Sequence, residues 1–246
     1  MPRLNKFIAS TGVCSRRKAD ELILEGRIRV NDKLITELGF YVREHDKVYL
    51  DNKLIKPQKS EYYRFYKPAG YITTSDDEKG RKTIYDIIPE ELHHLKPVGR
   101  LDKDSTGLLI MTTDGELINQ MTHPSIKVPK VYNVTINGRF SQNDAEEMFN
   151  GITIETDNGE KKTAYAETLP IDISNKTSLI QVTLYQGINR QIRKMFAKLG
   201  YEVLVLKRIQ HATITLEGLK KGQIKLMKPK HIKELKNYLA KTINER

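Results

Sequence analysis

Gly99-Arg100-Leu101-Asp102-Lys103-Asp104-Ser105-Thr106-Gly107 runs without interruption into Leu108-Leu109-Ile110-Met111. A polar loop bounded by glycines meets a short continuous apolar run, the pattern of a buried strand. Such a junction can hold a carboxylate rigidly at the edge of a sheet, as a catalytic aspartate requires. The same residues also suit a tight turn whose Asp and Ser side chains satisfy loop backbone groups. Asp102 differs from Asp104 in its cationic flanks, Arg100 and Lys103.

Outward from this loop, strands are expected over residues 62–66, 70–74, 108–112, 130–136, 164–169, 178–184 and 202–209. Helices are expected over residues 115–121, 142–150, 189–199 and 230–242, with a short one at 84–88 and a polar loop at 75–82. The order is irregular and no repeat recurs, which predicts an α+β fold with a mixed sheet flanked by helices. Lys56-Pro57-Gln58-Lys59-Ser60 reads as a linker, so the expected domains are residues 1–58 and 59–246.

Two further segments are candidates for chemistry. Gln186-Gly187-Ile188-Asn189-Arg190-Gln191-Ile192-Arg193 opens a helix for which Asn189 is the expected N-cap. Ile192, Met195, Phe196 and Leu199 share its apolar face, Arg190, Lys194 and Lys198 the opposite one, and Arg193 sits at the boundary. A basic helix start after a glycine turn can grip phosphates, and a boundary arginine can turn inward to a buried carboxylate. In Lys130-Val131-Tyr132-Asn133-Val134, strand alternation places Tyr132 on one face with Lys130 and Val134. Such a tyrosine is either core or a platform on which an extruded base stacks. His123, His211 and the pair His93-His94 lack partners at metal-ligand spacing and read as structural.

The first 60 residues carry 13 Lys and Arg against 8 Asp and Glu, in a chain of formal net charge +11. That excess points to a polyanion partner, and nucleic acid is the commonest. Two short helices, the second capped by Ser15, precede strands at 27–30, 33–35 and 47–50. Arg16, Arg17 and Lys18 crowd a helix N-terminus, where like charge opposes the macrodipole unless an anion arrives. With Arg27 and Arg29 they make one basic face. The single cysteine, Cys14, and the lack of a long apolar stretch predict a cytoplasmic protein without a membrane segment.

Together these segments resemble the ribosomal pseudouridine synthase family that carries an N-terminal S-four-type RNA-binding domain. Arg3-Leu4-Asn5-Lys6-Phe7-Ile8, Cys14-Ser15-Arg16-Arg17 and Gly26-Arg27-Ile28-Arg29-Val30-Asn31 look like the small domain. Tyr66-Lys67-Pro68-Ala69-Gly70 looks like the opening segment of the catalytic domain, with Tyr66 where Asn is usual. Gly99-Arg100-Leu101-Asp102, followed by Ser105 and Gly107-Leu108-Leu109, is similar to the signature motif. Asp102-Lys103-Asp104-Ser105 and the Gln186–Arg193 segment look most like the branch called large-subunit synthase F. The chain departs from the pattern at His211-Ala212-Thr213 and at Ile224-Lys225.

The resemblance implies a catalytic aspartate at Asp102, an active-site tyrosine at Tyr132 and a partner for the aspartate at Arg193. It further implies RNA contacts by Arg100, Leu101, Lys103, Arg190, Gln191 and Ile192, with Arg16, Arg17, Lys18, Arg27 and Arg29 on the small domain. The reaction needs no cofactor and no metal, the expected substrate is large-subunit (23S) ribosomal RNA, and a monomer is expected. Three alternatives stay open: the same reaction on small-subunit ribosomal RNA or a tRNA, a non-catalytic RNA-binding assembly factor, and a phosphatase built on the Asp102-Lys103-Asp104 triplet.

Overall fold

A computed structural model describes residues 1–75 and 77–245, so Asp76 of the predicted polar loop and Arg246 lie outside it. The chain divides into two compact units, one of residues 1–61 with 113–115, the other of residues 62–112 with 116–245.

In the first unit, α1 (Leu4–Ser10) buries Leu4 and Ile8. In α2 (Arg16–Leu24), Ala19, Leu22 and Ile23 are buried, and the Ser15 hydroxyl accepts from the Lys18 N–H at 3.2 Å. The helices share a core with a small antiparallel sheet in the order β2-β1-β3-β4. Its strands are β1 (Ile28–Val30), β2 (Lys33–Ile35), β3 (Val48–Leu50) and β4 (Lys53–Ile55), the last not foreseen from the sequence. Ile28, fully buried, stands opposite both Ile35 and Leu50.

In the second unit the described residues form a nine-stranded sheet. It uses β5 (Tyr62–Lys67), β6 (Lys96–Pro97), β7 (Thr106–Thr112) and β8 (Lys130–Asn137), all preceding a separate hairpin of β9 (Ile152–Glu155) and β10 (Lys161–Ala164). It continues with β11 (Glu167–Ile173), β12 (Thr177–Leu184), β13 (Val203–His211), β14 (Ile214–Thr215) and β15 (Ile224–Leu226). The order is β11-β12-β8-β13-β7-β5-β15, with β14 beside β13 and β6 beside β7. Every pairing is antiparallel except that of β13 with β7, so the fold is α+β with a mixed, mainly antiparallel sheet. Around it lie α3 (Gly115–Thr122), α4 (Gln142–Asn150), α5 (Gln191–Lys198) and α6 (Pro229–Asn244).

The run Leu108-Leu109-Ile110-Met111 is apolar without alternation because both faces of β7 are covered. Leu108 and Ile110 pack with Leu117, Leu235 and Leu239, from α3 and α6, while Leu109 and Met111 pack with Phe65, Ile84 and Leu95. Each of these buried side chains contributes about 1.5–3 kcal/mol. No helix among the described residues is long and apolar enough to cross a membrane.

Three sequence expectations change. Residues 70–74 form no strand, only a bridge between Ile72 and Thr83, because Thr73 turns toward Leu101. The short helix at 84–88 is a single 3₁₀ turn, Ile84–Asp86, capped by Thr83. The strand expected at 164–169 is divided between β10 and β11. The parallel junction of β7 and β13 sets a strict local demand: Gly107 lies opposite Arg208 with φ of 112°. A Cβ there would clash with the Arg208 backbone, its carbonyl oxygen first. Gly107→Ala is therefore expected to lower stability by about 2 kcal/mol or more, read as a shift in the urea midpoint at constant slope.

Candidate active site

The loop of residues 101–105 enters β7 as a turn closed by the Ser105 N–H and the Asp102 carbonyl at 3.1 Å. Its backbone is held from one side by the segment that follows β5. Lys67 is fully buried, and its ammonium donates to the carbonyls of Asp102 (2.9 Å), Ser105 (2.8 Å) and Pro68 (3.1 Å). The Gly70 N–H donates to the Lys103 carbonyl at 2.7 Å, and the Thr73 hydroxyl donates to the Leu101 carbonyl at 2.8 Å. Burial pulls the Lys67 ammonium down to about 8, although the charges of Asp102 and Asp104 act in the opposite sense. Sequence reading placed Lys67-Pro68-Ala69-Gly70 in the catalytic domain but missed this clamp. The available signal was a Lys-Pro pair that breaks a strand shortly before the signature loop.

With its backbone fixed, Asp102 presents a side chain one-third exposed to a cleft of about 1220 Å³. Tyr132, 8% exposed, lines the same cleft from the centre of β8. Arg100, Lys103 and Arg190 are exposed on its rim. The arrangement offers a carboxylate, an aromatic ring and several cations around one space large enough for a nucleotide.

The arginines are not distributed as the sequence suggested. Arg193 was expected to pair with Asp102, but its guanidinium donates to the Val203 carbonyl at 2.9 Å and to the Asp104 carbonyl at 3.3 Å. Its Nε lies 3.2 Å from an Asp104 carboxylate oxygen without the alignment of a hydrogen bond, so the contact there is electrostatic. Arg190 forks onto both Asp104 carboxylate oxygens at 3.2 Å, and Arg190 is also the cation beside Asp102, at 3.9 Å. Burial pushes the Asp104 carboxyl up, but the Arg190 hydrogen bond and the charges of Arg193 and Arg190 prevail and hold it below the usual range.

The start of α5 also differs from expectation. Asn189 is not the cap. Arg190 holds that place in the left-handed region, φ 51°, with no side-chain cap bond. The Gln191 side-chain oxygen instead accepts from the Ile188 N–H at 3.3 Å, which ties the preceding turn to the first residue of the helix. Leu101, Gln191 and Ile192, expected to touch RNA, are 6%, 3% and 3% exposed. Leu101 and Ile192 belong to the core that includes Tyr132, and the Gln191 amide donates to the Tyr165 carbonyl. They support the cleft wall from inside, their side chains being committed to protein neighbours.

On the first unit, Arg16, Arg17 and Lys18 are all exposed. Lys18 is paired with Glu21 at 2.7 Å, whereas no ion pair engages Arg16 or Arg17 among the described residues. Arg27 forks onto Asp51, and the Arg29 guanidinium lies over the Tyr49 ring at 4.5 Å. The basic face predicted from the sequence is thus partly neutralised within the unit. Among the described residues, no group of three His, Cys, Asp or Glu side chains could hold a metal ion.

Known proteins share this organisation. A family model described as RNA pseudouridylate synthase matches residues 61–198, and one described as S4 domain matches residues 2–48. A Bacillus subtilis protein named ribosomal large subunit pseudouridine synthase B is 39% identical over 236 residues, covering 96% of each chain. It carries the B designation, where the sequence motifs were read as nearest an F branch. An Aquifex aeolicus protein named uncharacterized RNA pseudouridine synthase is 38% identical, covering 90% of this chain and 88% of its own. A crystal structure of a pseudouridylate synthase superposes with a TM-score of 0.68 at 28% identity, covering 96% of this chain and all of the other.

The clamp can be tested directly. Lys67→Met removes a cation and leaves three carbonyls, that of Ser105 buried, without their donor, which is expected to cost about 3 kcal/mol of stability. Equilibrium urea denaturation measures the loss; a change within experimental error would show that the loop does not depend on this lysine.

Proposed function

The chain belongs to the RNA pseudouridylate synthase family and is an RNA pseudouridine synthase; on that premise we propose that it modifies large-subunit ribosomal RNA, with Asp102 as the catalytic carboxylate. The substrate reading is supported by the name of the Bacillus subtilis relative, which spans the whole architecture. The catalytic reading is carried by one observation: Asp102 has its backbone clamped by Lys67 while its carboxylate is open to the cleft that Tyr132 lines.

The reaction breaks the N1–C1′ bond of uridine, turns the base, and joins ring carbon five to C1′. The proton on carbon five is lost and N1 gains one, so nothing is oxidised and nothing leaves the nucleotide. To reach the cleft the uridine must leave its stack, at a cost of a few kcal/mol that contacts to the RNA backbone offset. Asp102 serves whether it attacks the sugar, attacks the base, or takes a sugar proton. Tyr132 stacks on the extruded base. Arg190, beside Asp102, orients the carboxylate, and Arg193 is a positioning residue that acts through Asp104. Arg100 and Lys103 meet phosphates at the rim. The small domain, residues 1–58, grips structured RNA through its basic face, with residues 59–246 carrying the chemistry in the cytoplasm.

Asp102→Asn keeps the size and shape of the side chain but removes its charge and replaces one acceptor oxygen by an NH2 donor. It is expected to lower turnover more than about 10³-fold while RNA affinity stays within a few fold. Chemical mapping of pseudouridine in unmodified large-subunit transcripts is the assay, and appreciable product from the variant would refute the assignment. The same assay on small-subunit transcripts tests the substrate. Replacing both Arg16 and Arg17 by Gln is expected to weaken RNA binding and to reduce the slope of log affinity against log salt by about 1 to 2. An unchanged slope would return both residues to an ordinary solvated surface.

A further inference from the structure

Beside Tyr132 the cleft is lined by polar groups that the chemistry above does not use. β8 and β13 are adjacent and antiparallel, with His211 directly opposite Lys130 and Arg208 directly opposite Tyr132. Directly opposed residues project to the same face of a sheet, so Lys130, Tyr132, Arg208 and His211 form one patch, and all four line the cleft.

The patch has two unusual properties. Some of its polar atoms are buried without partners, on residues that are themselves buried: His211 is 0% and Arg208 2% exposed. Neither ring nitrogen of His211 has a hydrogen-bond partner, and neither has Nη2 of Arg208, whose Nε donates to the Leu108 carbonyl at 2.7 Å. Lys130 donates only to the Val128 carbonyl, at 3.3 Å, among the contacts described. Its electrostatics also have one sign. Burial, then Arg208 and Lys130, hold His211 well below the usual histidine range, and burial with Arg208 brings Lys130 down to about 8. No carboxylate figures among the charges acting on either group. Unsatisfied buried donors and unbalanced buried positive charge are both costly, and an anion that accepts hydrogen bonds relieves both.

We propose that Lys130, Arg208 and His211 form an anion subsite in the depth of the cleft that takes a phosphodiester group of the RNA strand next to the target uridine. This deepens the function proposed above and rests on it. The uracil ring is a poorer match. It is neutral, and its edge mixes two acceptor carbonyls with an N–H donor, whereas a phosphodiester is an acceptor-only anion matched to a cluster of cations and donors. Within this subsite Lys130, the least buried of the three, makes the first contact, Arg208 keeps the local potential positive, and the neutral His211 ring offers its N–H.

The test measures binding of the full chain to an unmodified large-subunit ribosomal RNA transcript across a salt series. Lys130→Gln is expected to weaken binding about tenfold and to reduce the salt slope by about 1, with Lys130→Arg restoring both. Unchanged affinity and slope in Lys130→Gln would overturn the subsite. A second arm uses the wild-type protein, so it does not depend on any variant folding. The His211 ring resonances should shift on titration with uridine 3′-monophosphate or 5′-monophosphate and stay in place with uridine. A shift with uridine alone would assign the groups to the base and overturn the proposal, and a shift with inorganic phosphate but neither nucleotide would reduce the patch to a free-phosphate site and also overturn it. Because these readouts are of binding, product formation by Asp102→Asn tests the catalytic assignment separately.

Discussion

A lysine ammonium buried at the end of β5 donates to the carbonyls of Asp102 and Ser105, and the geometry of the cleft follows from that contact. A polar loop in water would sample many conformations, and fixing each residue costs roughly 1–2 kcal/mol of conformational entropy. Lys67, the Gly70 N–H and the Thr73 hydroxyl together restrain Leu101, Asp102, Lys103 and Ser105 through their main chain. Restraint through the backbone leaves the Asp102 carboxylate free to face the cleft. A side chain restrained through its own oxygens would have fewer left for a substrate.

Charge is arranged on the same plan. Asp104, two residues on, takes the fork of Arg190 and the nearby Arg193, and so keeps the Arg190 guanidinium beside Asp102 without spending the Asp102 oxygens on a close ion pair. Three further sets of positive groups stand out. Arg100 and Lys103 lie on the rim, Lys130 and Arg208 lie deep in the cleft, and Arg16 and Arg17 lie on the small unit.

The apolar framework was legible from the sequence because it depends on local periodicity. Four adjacent apolar residues after Gly107 mark a strand covered on both faces, and the contacts of Leu108 through Met111 are of that kind. The helix over Gln142–Asn150 follows from Ser141 and Asp144, which form a reciprocal cap, and from the buried Met148. The resemblance drawn from the motifs put Asp102, Tyr132 and Arg193 in one site; Asp102 and Tyr132 do line one cleft, but the cation beside Asp102 is Arg190. Where local signals conflicted, the reading went wrong. Residues 70–74 have strand-like composition, yet Thr73 is recruited by Leu101, a partner 28 residues away. Asn189 is a good cap by type, yet Arg190 takes the N-cap place in the left-handed region without a side-chain cap bond.

The sequence by itself thus determined the class of fold, the loop that carries Asp102 and the basic character of the surface, since these depend on residue type and on spacing along a few turns. Only the tertiary structure decided which cation meets which carboxylate. Arg193 reaches Asp104 rather than Asp102, and Arg208 stands over Gly107, because β13 and β7 lie side by side and parallel although about 100 residues separate them in the chain. Register between distant strands is a property of the assembled sheet, and a change in it would give the same guanidinium a different partner.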